Sequence, residues 1–119
     1  SVNAAAHFAG LAALTGPKDA VVEMVSQFDS RRRVIVEALN DLPGLRCADA
    51  AGAFYAFPNI SSTGLSAKEA QDLFLDQAGV ATVAGTSFGV HGEGFVRFSY
   101  ANSPENILRA IDRIRPLIG

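Results

Sequence analysis

The feature that most constrains this chain is a long amphipathic helix near its N-terminus. The helical pattern runs from about Pro17 to about Leu42 in a chain of 119 residues. Proline suits the first turn of a helix, and Pro43-Gly44 provides the stop. The apolar residues recur at helical spacing along one face: Val21, Val25, Phe28, Ile35, Ala38, Leu39 and Leu42. A helix of this length in so small a domain commonly packs against a surface outside that domain.

Composition indicates one globular domain with one core. Hydrophobic residues make up 49% of the chain and charged residues 18%, which is typical of a folded protein rather than a disordered one. The net charge of -2 gives no general attraction to nucleic acid or to an anionic membrane, so we expect neither partner. The single basic cluster, Arg31-Arg32-Arg33, is interpreted as a solvated helix face.

The ends and the single cysteine give weaker information. Cys47 stands alone, so no internal disulfide forms, and the chain fits a reducing compartment such as the cytoplasm. No apolar run is long enough to predict a membrane span. The chain begins at Ser1 without Met or a basic leader, so we expect a piece of a longer protein.

Capping signals and apolar spacing predict three further helices. Ala4–Leu14 is small and apolar and is expected to form a short, tightly packed helix. Ser66-Ala67-Lys68-Glu69 is a capping box that opens a helix ending before Gly79. Ser103-Pro104-Glu105 starts the last helix. The apolar stripe of that helix is Ile107, Leu108, Ile111, Ile114 and Leu117.

Four short segments are typical of β-strands, and their order among the helices predicts the fold class. The segments are Leu45–Ala48, Gly52–Ile60, Val80–Val83 and Phe95–Tyr100. The chain therefore reads helix, long helix, strand, strand, helix, strand, strand, helix. This order predicts an α+β domain, a two-layer sandwich of helices on a small, largely antiparallel sheet.

Arg97 is the residue that carries the most chemical information. It stands within Gly94–Ala101, a segment that otherwise reads as a buried strand. A guanidinium cannot lose its charge, and its planar fork of donors matches a carboxylate. Because side chains alternate along a strand, Arg97 shares a face with Phe95 and Ser99, away from the apolar face. It therefore pairs with a protein acid, which is the commoner case, or it binds an anionic ligand.

Other chemistry-bearing residues predict no further site. The glycine-rich segment Gly85–Gly94 lacks the Lys-Ser/Thr ending of a phosphate-binding loop and leads into a strand, so we expect a shaped, partly mobile loop beside a site. His7, His91 and the cysteine have no metal-ligand spacing, so no metal is expected. No serine, histidine and acid are spaced convincingly as a triad. Lys18 and Lys68 are interpreted as solvated residues at helix starts.

Three segments, in the same order and spacing, resemble motifs of the class I and II pyridoxal-phosphate aminotransferases of fold type I. Gly52–Ile60 is similar to one of their strands. Val80–Gly89 resembles their V-x-P-G-x-x-F-G loop, and Gly94–Ala101 resembles their G-x-x-R-[IFL]-S-[FY]-A strand. Ser1–His7 and the helix after it are similar to the segment that follows the large domain. The resemblance covers almost the whole chain and is nearest to the bacterial aspartate aminotransferase-like branch.

The resemblance implies that residues 1–119 are the C-terminal small domain of such an enzyme, without the large cofactor-binding domain. It assigns Arg97 to the substrate α-carboxylate, bound through a two-pronged salt bridge. It also makes Phe54 a candidate for lining the pocket near the substrate entrance, while Tyr55 is interpreted as a core aromatic. Two positions depart from the family pattern and leave the branch open: Ala84 stands where proline is usual, and His7 where glutamine is common.

For the parent protein, the resemblance implies transfer of an amino group from an amino acid, of aspartate type, to a 2-oxo acid. The cofactor would be pyridoxal 5′-phosphate, and the parent would be a cytoplasmic homodimer. The Schiff-base lysine of the family, in an S-x-S-K segment, and the other cofactor-binding residues belong to the large domain and have no counterpart here. We therefore expect no catalytic or cofactor-binding residue in this chain, no covalently bound cofactor, and no activity of the chain alone.

In this interpretation the small domain closes over the substrate, and the loop near Gly85 and Gly89 is where we expect it to flex. Two alternatives from other functional classes stay open. One is a free-standing α+β module that binds a carboxylate metabolite at Arg97 without catalysis. The other is a protein-interaction domain that uses the apolar face of the long helix. Neither alternative requires a large partner domain upstream.

Overall fold

A computed structural model describes residues 2–118; Ser1 and Gly119 lie outside the described residues. Within that range the helices are α1 (Ala4–Thr15), α2 (Asp19–Asn40), α3 (Ala67–Ala78) and α4 (Pro104–Ile114). The strands are β1 (Tyr55–Ala56), β2 (Val83–Ala84) and β3 (Val96–Ser99). The strands form one sheet in the order β1-β3-β2, with both pairs antiparallel. The predicted α+β fold with a small antiparallel sheet is confirmed.

Burial along the central strand β3 follows the predicted alternation. Val96 and Phe98 are buried, as is Tyr100 just beyond the strand. Arg97 is half-buried and Ser99 is exposed. Since Val96, Phe98 and Tyr100 all belong to the core, Arg97 lies on the opposite, open face of the sheet.

The strands are shorter than the sequence pattern predicts, because local contacts use the backbone groups that a ladder would need. Ala53 has a φ of 60°, so the extended conformation begins only after it. The backbone N–H of Cys47 donates to the Asn40 side chain, whose amide donates to the Cys47 carbonyl, at 2.9 and 3.0 Å. The predicted edge strand is therefore reduced to a single bridge between Arg46 and Asn59. The N–H of Val80 caps helix α3 instead of joining a strand.

The predicted helix caps are present. Ser66 and Glu69 form the reciprocal capping box of α3, and Gly79 ends that helix with a φ of 65°. The Ser103 side chain accepts from the Asn106 N–H at the start of α4. These ends were predictable because each depends on residues within one turn of the helix.

The core of the molecule is formed by the residues from about 28 onward, which we call the body. Its fully buried side chains include Leu39 of α2, Phe74 of α3, Val96 of β3, Ile114 of α4 and Ile60, which follows β1. Residues 4–27, called the N-terminal arm, contain no buried residue. The helix predicted at the N-terminus therefore exists, but the prediction that it is tightly packed is wrong for this chain.

The arm also decides the shape of the molecule. The radius of gyration is 17.5 Å and the principal extents are 52 × 32 × 24 Å, whereas a compact domain of this length has a radius of gyration of about 13.5 Å. Among the described residues, every helix is too short or too polar to cross a bilayer. The elongation therefore comes from two helices that project from the body with their apolar side chains exposed.

Candidate functional site

The open face of the sheet gathers one arginine and several aromatic side chains. Tyr55 is paired with Ser99, and Val83 is paired with Arg97. Because β3 lies between the other two strands, Arg97 is at the centre of this face. The guanidinium carbon of Arg97 lies 4.2 Å from the centroid of the Tyr55 ring and 4.6 Å from that of Phe88.

No acid within residues 2–118 pairs with Arg97. The five ion pairs formed in this part of the chain involve other basic residues: Arg32 twice, Arg33, Lys68 and Arg115. The surface ion pair that is the commoner fate of a strand arginine is therefore not what the structure shows for Arg97. Its permanent charge is held by aromatic rings, and its N–H fork is available to an anion.

Arg32 provides the contrast within the same chain. Its guanidinium donates to both Asp29 and Asp49, and the hydrogen bond to Asp29 raises the pKa of Arg32. Arg31 lies over the Phe28 ring at 5.3 Å, and its Nε is buried without a hydrogen-bond partner. The prediction of a solvated basic face over these positions is thus right only for Arg33, which is exposed and pairs with Asp29.

Phe88 is itself held by other aromatic side chains. Its ring meets Phe57 edge-on, with centroids 6.1 Å apart, and Phe57 stacks on Phe95 at 5.3 Å. On the other side of the site, Tyr55 contacts Phe54 at 4.4 Å. The aromatic side chains therefore form two groups, Phe54 with Tyr55 and Phe57 with Phe88 and Phe95, and each group reaches Arg97 through one ring.

Phe54 lines a cavity of about 470 Å³ between α2 and the turn before β1. Phe54 is 40% exposed, and its ring centroid lies 6.1 Å from that of Phe28. The Tyr100 hydroxyl donates to the Ala53 carbonyl at 2.8 Å and supports this turn. Arg97 does not line this cavity. Phe54 contacts Tyr55, and Tyr55 in turn contacts Arg97. A substrate pocket at Phe54 stays a prediction.

The glycine-rich loop is fixed at one end by a close backbone crossing. The Gly85 N–H donates to the Phe95 carbonyl at 2.8 Å, and a Cβ on Gly85 would lie 2.1 Å from the Gly92 carbonyl oxygen. This crossing holds the turn that carries Phe88. Gly89 has a φ of 124°, and a Cβ there would meet no heavy atom within 4 Å. Its N–H donates to the Thr86 carbonyl at 3.2 Å, and its carbonyl accepts from the Gly92 N–H at 3.0 Å. Of the two glycines predicted to flex, Gly85 lies at the close crossing and Gly89 has open space beside it; flexing at either position stays a prediction.

The departure at Ala84 has a local explanation. Its φ is -57°, which a proline would also adopt. However, its N–H donates to the Gln71 side chain at 2.9 Å, and proline has no N–H to donate. The alanine thus permits a contact between α3 and β2 that the usual family residue would forbid.

Within residues 2–118, no hydrogen bond or ion pair joins Arg97 to either lysine or to either histidine. Lys18 donates to backbone carbonyls at the end of α1, and Lys68 pairs with Asp72 on α3. His7 is on the exposed helix α1, and His91 is in an exposed turn. Within residues 2–118, no three His, Cys, Asp or Glu residues cluster in a way that could hold a metal ion.

Tyr55 and Phe88 are the residues at this site that the sequence patterns did not identify. The interpretation of Tyr55 as a core aromatic is wrong, because it is half-buried on the open face and packs against Arg97. Two signals could have found them. Tyr55 and Phe57 are two residues apart on a short extended segment, so their side chains are expected on the same face of the sheet. Phe88 is the aromatic residue of the loop motif.

Comparison with known proteins gives a consistent result. A family model described as "Aminotransferase class I and II" matches residues 2–114. The aspartate aminotransferase of Pyrococcus horikoshii is 42% identical over 110 residues, which are 91% of this chain and 28% of that protein. This chain thus spans little more than a quarter of that curated relative.

Two solved structures extend the likeness to the fold. The aromatic aminotransferase from Pyrococcus horikoshii OT3 superposes with a TM-score of 0.79 at 43% identity, covering 82% of this chain and 26% of that chain. The alanine aminotransferase from Pyrococcus furiosus superposes with a TM-score of 0.92 at 36% identity, covering 98% of this chain and 30% of that chain. In both cases a limited part of a longer chain, 26% and 30% of it, matches at least 82% of this chain.

Proposed function

The chain belongs to the class I and II aminotransferase family, and from this premise we propose that residues 1–119 form the C-terminal small domain of a longer pyridoxal-phosphate aminotransferase. The longer protein transfers an amino group from an amino acid to a 2-oxo acid. In that protein Arg97 binds the α-carboxylate of the substrate. The proposal is supported by the short share of each relative that the chain spans and by the environment of Arg97.

The names of the relatives support the choice of the α-carboxylate. They are described as acting on aspartate, on aromatic amino acids and on alanine. These substrates differ in their side chains, and the parts they share are the α-amino and α-carboxylate groups. An arginine within the region common to these proteins therefore suits the shared carboxylate better than any side chain. Three relatives at 38–44% identity are named aspartate aminotransferases, so aspartate is the substrate we propose to test first.

The observation that carries the proposal is the unpaired, half-buried guanidinium of Arg97 on the open face of the sheet. A guanidinium donates two parallel N–H bonds to a carboxylate, which fixes the orientation of the carboxylate as well as its position. Each charge-assisted hydrogen bond contributes about 1.5–3 kcal/mol. Two such bonds hold the substrate in one orientation, and that orientation determines which of its bonds faces the cofactor.

The residues of this chain do not fit the cofactor itself. Pyridoxal phosphate supplies the electron sink for amino transfer and is anchored on a lysine in this family. Lys18 and Lys68 are engaged elsewhere on helix surfaces, away from Arg97. We propose that the rest of the longer protein holds the cofactor. An absorbance band of this chain with pyridoxal phosphate, removed by replacing either lysine with alanine, would contradict this.

The N-terminal arm supports the proposal of a large partner domain. Phe8 is 75% exposed and Leu14 is 79% exposed, although both lie on a helix with an apolar surface. We propose that this surface meets the large domain of the same longer protein. The same proposal includes a cytoplasmic homodimer, which rests on the family likeness. Light scattering tests the dimer through the mass of the longer protein, and cell fractionation tests its location.

Closure of the small domain over the substrate is also proposed, with Gly89 as the point that flexes. The support is the open space around Gly89 and the fixed crossing at Gly85. Hydrogen exchange of residues 86–91 in the longer protein is expected to slow when substrate binds. Equal exchange rates with and without substrate would contradict the closure.

The role of Arg97 is tested by kinetics of the longer protein. Arg97→Ala is expected to lower kcat/KM by about 100-fold or more, since the loss of about 3 kcal/mol corresponds to that factor. Arg97→Lys should recover little, because an ammonium cannot form the paired bonds. Arg46→Ala, which changes an exposed arginine in another part of the body, is the matched control and should be nearly neutral.

Two outcomes would contradict the proposal in different ways. Unchanged kinetics in the Arg97→Ala variant would remove the carboxylate role of Arg97. A wild-type protein that binds carboxylates but transfers no amino group would favour the free-standing binding module.

A further inference from the structure

We propose that Tyr55 and Phe88 are positioning residues that clamp the guanidinium of Arg97 and keep its N–H edge directed to the carboxylate. This inference rests on the proposed function of Arg97 and deepens it. The two rings come from different elements, Tyr55 from β1 and Phe88 from the turn after β2, while Arg97 lies on β3 between them. Three separate parts of the chain thus converge on one side chain.

The distances are those of cation–π contacts. The guanidinium carbon is 4.2 Å from one ring centroid and 4.6 Å from the other, and such contacts are attractive within about 6 Å. An aromatic face attracts the flat surface of a guanidinium and takes up none of its N–H donors. The donors at the edge of the guanidinium therefore stay available to a ligand.

An ion pair with a protein acid would also position an arginine, but it would weaken the binding of a ligand carboxylate. In Arg32, Nε and Nη2 donate to Asp29 and Nη1 donates to Asp49. An arginine held like this has its fork occupied, and a ligand carboxylate would have to displace a protein carboxylate. A free arginine has the opposite difficulty, because its long side chain loses rotamer freedom when a ligand binds. The clamp restricts the side chain before binding and leaves the fork open.

Phe88 does not belong to the hydrophobic core of the body. It is 55% exposed, and its contacts are with Arg97 and Phe57 on the open face. The backbone crossing between Gly85 and Gly92 holds the turn that presents it. A half-exposed phenylalanine on a braced turn is a weak contributor to folding, so its role is best assigned to the arginine that it covers.

The clamp is tested on the 119-residue chain by NMR of the Arg97 Nε–Hε group, with acetate as the carboxylate probe. In the wild type, the ring currents of Tyr55 and Phe88 should move the Arg97 Hε resonance upfield of the other arginines. Tyr55→Leu and Phe88→Leu should each remove part of that shift and weaken acetate binding at Arg97 about 3- to 10-fold. Tyr55→Phe and Phe88→Tyr keep a ring and should retain both the shift and the affinity.

Phe8→Leu, on the exposed helix α1, is the matched control and should change neither signal. Backbone amide spectra establish that each variant keeps the fold. A wild-type Hε resonance without the upfield shift, or leucine variants that bind acetate as the wild type does, would overturn the clamp. Failure of the proposed function looks different: an Arg97→Ala chain would then bind acetate as tightly as the wild type.

Discussion

The N-terminal arm and the body of this chain both contain regular helices with many apolar residues, yet only the body buries them. In the arm, α1 has apolar or small residues on all sides and no buried residue. In the body, α4 carries its apolar residues on one side and buries Ile107, Ile111 and Ile114. The contrast teaches that an apolar helical pattern predicts a helix, whereas burial depends on the surface available to it.

Helix α2 contains both situations within one element. Ile35 and Leu39 are 2% and 0% exposed, while Val21 and Val25, on the same predicted stripe, are 49% and 57% exposed. One continuous apolar stripe thus passes from the core of the body out into the arm. This is the physical basis for expecting a partner surface next to the arm, and we propose that the large domain supplies it.

The largest expected effect compares a leucine of each region. Leu39→Ala removes a fully buried side chain and should lower the free energy of unfolding by about 2–5 kcal/mol. Leu11→Ala, in the arm, changes a side chain that is 59% exposed and should stay within about 0.5 kcal/mol. Urea unfolding of the chain measures both. Equal losses of unfolding free energy in the two variants would contradict the distinction between arm and body. If Leu11→Ala destabilises only the longer protein, the arm packs against a surface outside this chain.

A smaller effect is expected where the body meets the arm, at the turn that lines the Phe54 cavity. Ala53 has a φ of 60°, a conformation that a side chain with a Cβ adopts at a cost of about 1–2 kcal/mol. Ala53→Gly should therefore stabilise the chain by about 0.5–1 kcal/mol, after the greater entropy of unfolded glycine is deducted. Ala51→Gly, in the same turn without a positive φ, should be neutral or destabilising. The reverse order of these two variants in thermal unfolding would contradict the explanation.

The smallest expected effect is a pH dependence at the junction of the two regions. Hydrogen bonds from Arg32, which has the larger effect, and from Arg33 hold the pKa of Asp29 below its ordinary value of 3.8. Because the folded pKa is the lower one, these pairs stabilise the fold above the unfolded pKa. The contribution disappears as the pH falls through the folded pKa. The thermal midpoint of the wild type should therefore fall more on acidification than that of Asp29→Asn, and identical profiles would show that the pairs contribute nothing.

The sequence could predict those features of the fold that depend on neighbours along the chain. Ser66 and Ser103 identify helix starts through contacts within one turn, and the alternation along β3 places Arg97 on the open face. The clamp could not be predicted in this way. It depends on the pairing of β1 with β3 and on the turn that returns Phe88 to the sheet, both of which join residues distant in sequence.

The exposure of the arm could not be predicted from local sequence patterns either. An apolar helix such as α1 has the same sequence signature whether its partner surface lies within the chain or outside it. The strands were predicted too long for a related reason. Asn40 and Ala53 change the backbone through one hydrogen-bonding side chain and one left-handed residue, and neither appears in a hydrophobic pattern.

The central claim, that Arg97 binds the α-carboxylate of the substrate, is tested most directly by varying residue and substrate together. Wild type and Arg97→Ala of the longer protein are compared in single turnover on aspartate and on β-alanine, which is aspartate without its α-carboxylate. The account predicts that Arg97→Ala slows the reaction of aspartate by about 100-fold or more, and that of β-alanine by less than about threefold, because the lost bonds have no partner there. An equal loss on both substrates would contradict it.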